Sequence, residues 1–358
     1  MRPLVSILIP AYNAECWIAE TIRSALEQTW PRKEIIVVDD GSRDETLSIA
    51  RQFTSSGIYV ATQENQGGCA ARNKAFTLCQ GEFIQWLDAD DLLAPDKIAK
   101  QMEAWVKYPN KETLLSCAWG YFIYRPHRAR FEPTPLWADL SPLEWLVRKW
   151  ETNAHMNPAT WLVSRELTQK AGPWDTRLIT GEDGEYFCRV ILASSGIKFV
   201  KDAKVFYRST ASTGSYIGRS NRKMESQFLG MQLEIDHLRS RDDSKRTRAA
   251  CMKFLQTWLH HFYPDRLDIV RQAEQLAATL DGQLQIPRLN WKYAWIRKLF
   301  GWGVAKRVRL KYNEWKKFAL IAWDKALFDL EKRRRGPFMR EDRNPAIIQS
   351  RPPVETCD

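Results

Sequence analysis

Four short apolar runs, each followed by a stretch with helical spacing, fill the first hundred residues. Leu4-Val5-Ser6-Ile7-Leu8-Ile9, Glu34-Ile35-Ile36-Val37-Val38, Ile58 to Ala61 and Glu82 to Leu87 are the runs. Continuous apolar and β-branched segments of this kind suit strands buried on both faces. Between them, Ala14 to Gln28 carries Trp17, Ile18, Ile22, Ala25 and Leu26 at helical spacing,. Ser42 to Glu45 has the S-x-x-E pattern that opens a helix,, and Gly68 to Cys79 reads as a third helix. Such alternation predicts an α/β fold, a mostly parallel sheet with helices on both faces. In sheets of this type ligands bind beyond the carboxyl ends of the strands, where the strand order reverses. Pro10-Ala11-Tyr12, Asp39-Asp40 and Asp88-Ala89-Asp90 all fall at such ends.

Further along, Pro95 to Lys107 reads as a helix and Leu114 to Tyr124 as a long strand. Pro126 to Pro142 is irregular, Ala159 to Ser164 strand-like, and Glu182 to Ser195 helical. Ile197 to Val200 and Ala203 to Tyr207 read as two short strands. The expected units are a catalytic domain over 1–213, a helical extension over 214–285, basic helices over 286–340 and a disordered tail over 341–358. Ser212 to Arg222, rich in Ser and Gly, is expected to be a mobile loop,.

Phe83-Ile84-Gln85-Trp86-Leu87 stops abruptly at Asp88-Ala89-Asp90-Asp91. Side chains two apart on a strand share a face, so Asp88 and Asp90 would project together if the strand continued that far. Adjacent carboxylates repel unless a cation lies beside them. Hard oxygen ligands suit Mg²⁺ or Mn²⁺, above all one shared with a diphosphate. An acidic turn without a metal is the plainer alternative, with Asp91 capping the next helix.

Composition narrows the class. Of 358 residues, 44% are hydrophobic, enough for a core,, yet no apolar run reaches the roughly eighteen residues that a spanning helix needs. A signal peptide is not expected at a start that enters a strand directly. The seven cysteines are scattered, without C-x-x-C or zinc spacing,, which suits a reducing, cytoplasmic setting. Adjacent His260 and His261 have no acidic partners at ligand spacing, and His155 is isolated.

Taken in order, Pro10-Ala11-Tyr12-Asn13, Val38-Asp39-Asp40-Gly41-Ser42, Asn65-Gln66-Gly67 with Ala71-Arg72-Asn73, Leu87-Asp88-Ala89-Asp90-Asp91 and Gly181-Glu182-Asp183 resemble the family 2 glycosyltransferases over roughly residues 3–210. The resemblance implies the GT-A fold and an inverting hexosyl transfer from a nucleotide-diphosphate sugar, usually UDP-linked, with Mg²⁺ or Mn²⁺. It implies that Asp90 ligates the metal and that Asp88 binds ribose or a metal-bound water. It further implies that Asp39 accepts a base N–H and that Asp183 is the catalytic base. Pro10, Ala11 and Tyr12 would line the donor site, with the Tyr12 ring against the base, while Asp40 and Gly41 shape the turn. Arg72 would hold Asp39 or a neighbouring carboxylate, or face the donor. Trp174, Asp175 and Glu182 fall at acceptor positions, although a core tryptophan would also satisfy the pattern. Arg208 and the 212–222 loop would reach the diphosphate. The basic histidine usual in that loop is absent.

The charge is uneven. Ile286 to Arg340 holds sixteen Lys and Arg against four Asp and Glu, +12 of a total of +11, so the remainder is nearly neutral. Trp291, Trp295, Leu299 and Trp302 form one helical row, and Tyr312, Trp315, Ala319, Trp323, Ala326 and Leu330 a second. Basic helices with interfacial tryptophans suit an anionic bilayer surface; packing onto the catalytic domain is the alternative, and nucleic acid is not expected to be a partner. The expectation is a peripheral enzyme on the inner membrane face with a saccharide or lipid-linked acceptor, in surface polysaccharide synthesis. A nucleotidyltransferase or an inactive membrane-binding protein are the rival classes; the first lacks its Gly-rich phosphate loop after the first strand.

Overall fold

The computed structural model describes residues 2–107, 109–210, 217, 220–287 and 291–334. Most of the expected 212–222 loop, and the whole 341–358 tail, lie outside the described residues.

Strands β1 (Val5–Ala11), β2 (Lys33–Asp39), β3 (Tyr59–Thr62) and β4 (Phe83–Trp86) form a parallel sheet, joined at its edge by antiparallel β7 (Val163–Ser164), in the order β3-β2-β1-β4-β7. Helices α1 (Ile18–Leu26), α2 (Thr46–Arg51) and α3 (Gly68–Leu78) make the crossovers. The apolar runs sit where parallel strands need them: Val5, Ile7, Leu8 and Ile9 are fully buried. From β1 the chain steps outward to β2 and β3, then crosses back to β4, so the order reverses between β1 and β4.

A second sheet, β5-β8-β6, comprises β5 (Leu92–Leu93), β6 (Thr113–Phe122) and β8 (Gly196–Arg208). The two short strands expected at 197–200 and 203–207 are one strand. Val200 pairs with Cys117 and Lys204 with Ala118, so the residues between bulge out of the ladder without ending it,. Of the strand expected over 159–164, only β7 remains, because Pro158–Thr160 forms a tight helical turn. Ser42 does not cap α2; instead Asp44 accepts from the N–H and hydroxyl of Thr46. Helix α4 (Lys97–Lys107) follows β5. Helix α5 (Pro142–Thr152) was not expected, although its sequence signals it: Ser141 caps it by accepting from Glu144 N–H, with Pro142 in the first turn,.

Helices α6 (Arg165–Ala171) and α7 (Glu182–Ala193) complete this part, and α8 (Asn221–Arg239), α9 (Lys245–Phe262) and α10 (Leu267–Thr279) pack on it. Trp150 of α5 stacks on Phe254 of α9, centroids 4.8 Å apart. One buried apolar core runs from β1 through to Leu280, so the helical extension shares the core of the sheets.

Helix α11 (Ala294–Arg334) is broken at Gly301, whose φ of 81° is left-handed. The break turns Trp302 off the row of Trp291, Trp295 and Leu299. Trp302 packs edge-on against Tyr263 and donates to Pro287 O, whereas the other three stay exposed. Polar contacts also hold α11. Lys306 Nζ reaches Asp265, Tyr263 O and His261 O. Arg125 pairs with Asp324 at 2.7 Å and Glu331 at 2.9 Å. Tyr124, beside Arg125, contacts both Phe328 of α11 and Trp17. Among the described residues no helix is long and apolar enough to cross a membrane.

Gly81, between α3 and β4, sits hard against β1: a Cβ there would lie 2.6 Å from Ser6 N and 3.0 Å from Leu4 O. Gly81→Ala is therefore expected to cost about 1–3 kcal/mol, read as a lower urea midpoint. An unchanged midpoint would show that the strand ends yield freely.

Candidate active site

The β1/β4 switch point opens into a cleft of about 280 Å³. Pro10, Ala11, Tyr12 and Asn13 at the end of β1 form one wall, with Trp17 above α1. Asp88, Ala89 and Asp90 after β4 form the opposite wall, and Arg72 of α3, Asp40 and Glu182 close the sides. A cavity of similar size, about 300 Å³, lies between α9 and α11, but it contains none of these carboxylates.

Strand β4 ends at Trp86, so Asp88 and Asp90 sit on a turn and the alternation of a strand does not set their directions. Backbone and side-chain ties set them instead. Asp91 N–H donates to Asp88 O at 3.1 Å. Arg208 donates to Asp90 O at 2.7 Å, and its own N–H to Asp91 Oδ1 at 2.8 Å. Asp91 is fully buried and also accepts from Asn157. It is thus a core carboxylate joining β8 to the turn, not a helix cap; α4 starts only at Lys97. Arg208 is itself 1% exposed, lies over Trp17 and Phe122, and pairs with Glu20. It braces the turn from behind, contrary to the expectation that it reaches a diphosphate.

Arg72, buried between sheet and α7, donates to Asp88 Oδ1 at 2.8 Å. Its guanidinium also lies 3.7 Å from Glu182 and 3.8 Å from Asp183, and 4.5 Å above the Trp174 ring. Its neighbours are therefore Asp88 and the α7 acids, not Asp39. Burial works to lower its pKa, but the charges of Asp88, Asp183 and Glu182 together outweigh that and hold it above the ordinary range. Asp183 keeps 38% of its side-chain exposure, yet its Oδ1 is buried without a hydrogen bond. Burial, then the Glu182 charge, pushes Asp183 up to about 8 against the pull of Arg72. Burial and Asp88 push Asp90 up to about 6.

Three expected positions fall elsewhere. Asp39 is 1% exposed and turned inward, accepting from Ser42 N–H and Thr62 Oγ1; Asp40 is the one that borders the cleft. Asp40 also accepts from the Gln66 and Gly67 N–H groups, fixing the loop ahead of α3. Trp174 is 2% exposed and stacked on Tyr186 at 3.9 Å, a platform under Arg72 and not a surface for an acceptor. Asp175 is held by Arg177 at 2.6 Å and does not border the cleft. Large rings and short loops decide these cases by packing, which motif order does not encode. Trp17, which sequence reasoning placed only on the α1 core face, borders the cleft.

Two carboxylates on the wall of an open cleft, close enough that Asp88 raises the proton affinity of Asp90, fit a divalent cation,. Among the described residues no group of three or more His, Cys, Asp or Glu could cage a metal alone, so most ligands would come from water and a diphosphate.

The fold is that of the GT-A domains, a mostly parallel α/β sheet with appended helices. Residues 6–170, a little under half of the chain, match glycosyl transferase family 2. An uncharacterised glycosyltransferase of Rickettsia typhi is 32% identical over 201 residues, covering 54% of this chain and 60% of its own. The chain spans three-fifths or less of the curated relatives that it matches. S. aureus TarS in complex with UDP-GlcNAc superposes with a TM-score of 0.60 at 19% identity, over 77% of this chain and 80% of that one. Mannosyltransferase PcManGT of Pyrobaculum calidifontis, in complex with GDP-Man and Mn²⁺, gives 0.51 at 20% identity over 92% and 88%.

Proposed function

We propose that the chain transfers a sugar, with inversion, from a UDP-sugar to a hydroxyl of a saccharide or lipid-linked acceptor. The observation that carries this reading is the convergence of Asp88, Asp90, Arg72 and Glu182 on a cleft at the strand-order reversal, with Asp183 3.8 Å from Arg72. Tyr12, 46% exposed, offers a flat ring to a base. Asp90, with Asp88, would hold a Mg²⁺ or Mn²⁺ ion that neutralises the departing diphosphate. Arg72 fixes Asp88 and stands between it and the α7 acids. The acceptor oxygen attacks the anomeric carbon, the carbon–oxygen bond to the diphosphate breaks, and Asp183 takes the hydroxyl proton. Release of UDP from a panel of nucleotide sugars, with and without Mn²⁺, tests the reading. No release from any sugar would overturn it.

In this reading residues 1–213 are the catalytic unit, 214–285 brace it, and 286–340 face an anionic membrane surface. Among the described residues, eleven of eighteen exposed large apolar side chains lie from Trp291 onward. Val308, Tyr312, Trp315, Trp323 and Leu330 form an exposed row on the side of α11 away from Asp324 and Phe328, flanked by Lys311 and Lys316. Changing Trp295, Trp315 and Trp323 together to Glu is expected to abolish co-flotation with phosphatidylserine vesicles. Full flotation of that variant would place lipid contact elsewhere.

A further inference from the structure

Four rings meet on the second sheet beside the carboxylate turn. Trp119 and Tyr121 lie on β6 and Tyr207 on β8, and Tyr121 and Tyr207 are direct cross-strand partners. Their side chains therefore share one face of the sheet. Trp119 meets Tyr121 at 4.7 Å and Tyr207 at 5.9 Å, and Tyr121 meets Tyr207 at 5.3 Å. His155, from the segment before Asn157, closes the group 5.5 Å from Trp119. The cluster is not core filler throughout: Trp119 is buried at its base, whereas Tyr121 is 45% exposed and Tyr207 half-buried.

The cluster adjoins the reacting groups. Tyr207 precedes Arg208, whose N–H holds Asp91, and its phenol lies within electrostatic reach of Asp91, Asp88 and Asp90. The rings thus sit on the second sheet, next to the strand end that holds the carboxylate turn, and not on the sheet of β1, which Tyr12 follows.

We propose that Trp119, Tyr121, Tyr207 and His155 form an acceptor platform that takes a pyranose ring of a saccharide chain, its C–H face stacked on Tyr121 and Tyr207. The inference rests on the proposed glycosyl transfer for its meaning, but the binding it describes does not need turnover. Aromatic rings with one polar edge suit a ligand that is apolar on its face and wet at its rim. A phosphate-linked polyol offers no such face, and the platform brings no cation of its own to hold one. Stacking accepts many sugars, because it reads ring faces more than individual hydroxyls.

Saturation-transfer NMR of the full chain with cellotetraose and with chitotetraose tests the platform. Glycerol phosphate serves as the ring-less control. Saturation of pyranose C–H protons is expected in wild type and in Tyr121→Phe, which keeps the ring. In Tyr121→Ala it should weaken about tenfold, equivalent to 1.4 kcal/mol. Tyr121 is exposed, so that variant is expected to fold, and an unchanged circular dichroism melt would verify it. Equal saturation in Tyr121→Ala, no saturation of either tetrasaccharide in wild type, or equal saturation of glycerol phosphate would each overturn the proposal. Absence of UDP release alongside normal saturation would instead remove the transferase reading and leave the saccharide platform standing.

Discussion

Asp183→Asn is expected to lower sugar transfer by about 10²–10⁴-fold while leaving donor affinity within a small factor. The amide is isosteric, so α7 and the contact with Arg72 are kept, and only proton acceptance is lost. The pH profile provides a second readout. With its pKa pushed up to about 8, Asp183 is mostly protonated at neutral pH, so kcat/KM should rise with pH to a limb at or below that value. Stability should move the opposite way. A carboxyl whose folded pKa lies above its unfolded value near 4 stabilises the fold only while protonated. That contribution declines between the two values and is gone above about 8. Asp183→Asn should therefore melt at a higher temperature than wild type, by a margin that grows from pH 5 to 8. A variant that is inactive and less stable would point to a structural role, and full activity would remove Asp183 as the base.

Asp90→Asn is expected to lower transfer by about a thousandfold, close to 4 kcal/mol of lost transition-state stabilisation. Chelation of divalent ions should match that loss in wild type and add little in the variant. Asp90 borders the cleft, and Asp88 is already engaged by Arg72, so Asp90 has the more available carboxylate. Asp91→Asn differs in kind. Its carboxylate is buried against Arg208 and Asn157, so its loss should appear first as a lower melting temperature. An Asp90→Asn protein with wild-type turnover in EDTA would refute the cation reading.

The sheet was legible because buried parallel strands demand continuous apolar runs, and β1 to β4 have them within two residues of the expected bounds. Helix α7 was legible for a related reason, since Tyr186, Phe187, Val190 and Ile191 repeat on its buried side. Legibility failed where three-dimensional packing chose between equivalent residues. Asp39 and Asp40 are neighbours of identical chemistry, and only the end of β2 decides which borders the cleft. Trp174 carries the same motif position whether it faces a sugar or lies under a guanidinium. The direction of Trp302 depended on a single backbone angle at Gly301. The aromatic group on β6 and β8 was invisible because its members are 34 to 88 positions apart in the chain, apart from the Trp119–Tyr121 pair.

The segment from β4 to β5 belongs to both sheets, leaving the first at Trp86 and entering the second at Leu92. Asp88 and Asp90 ride on that joint, with Asp91 pinned to the end of β8. The spacing of the pair is thus an output of how the sheets lean on each other, and residues that never see a substrate can adjust it. Val205, fully buried on β8 opposite Leu93, is such a control point. Selection for a different cation or a bulkier donor could work from there, by small tilts, without altering a single group that touches the sugar.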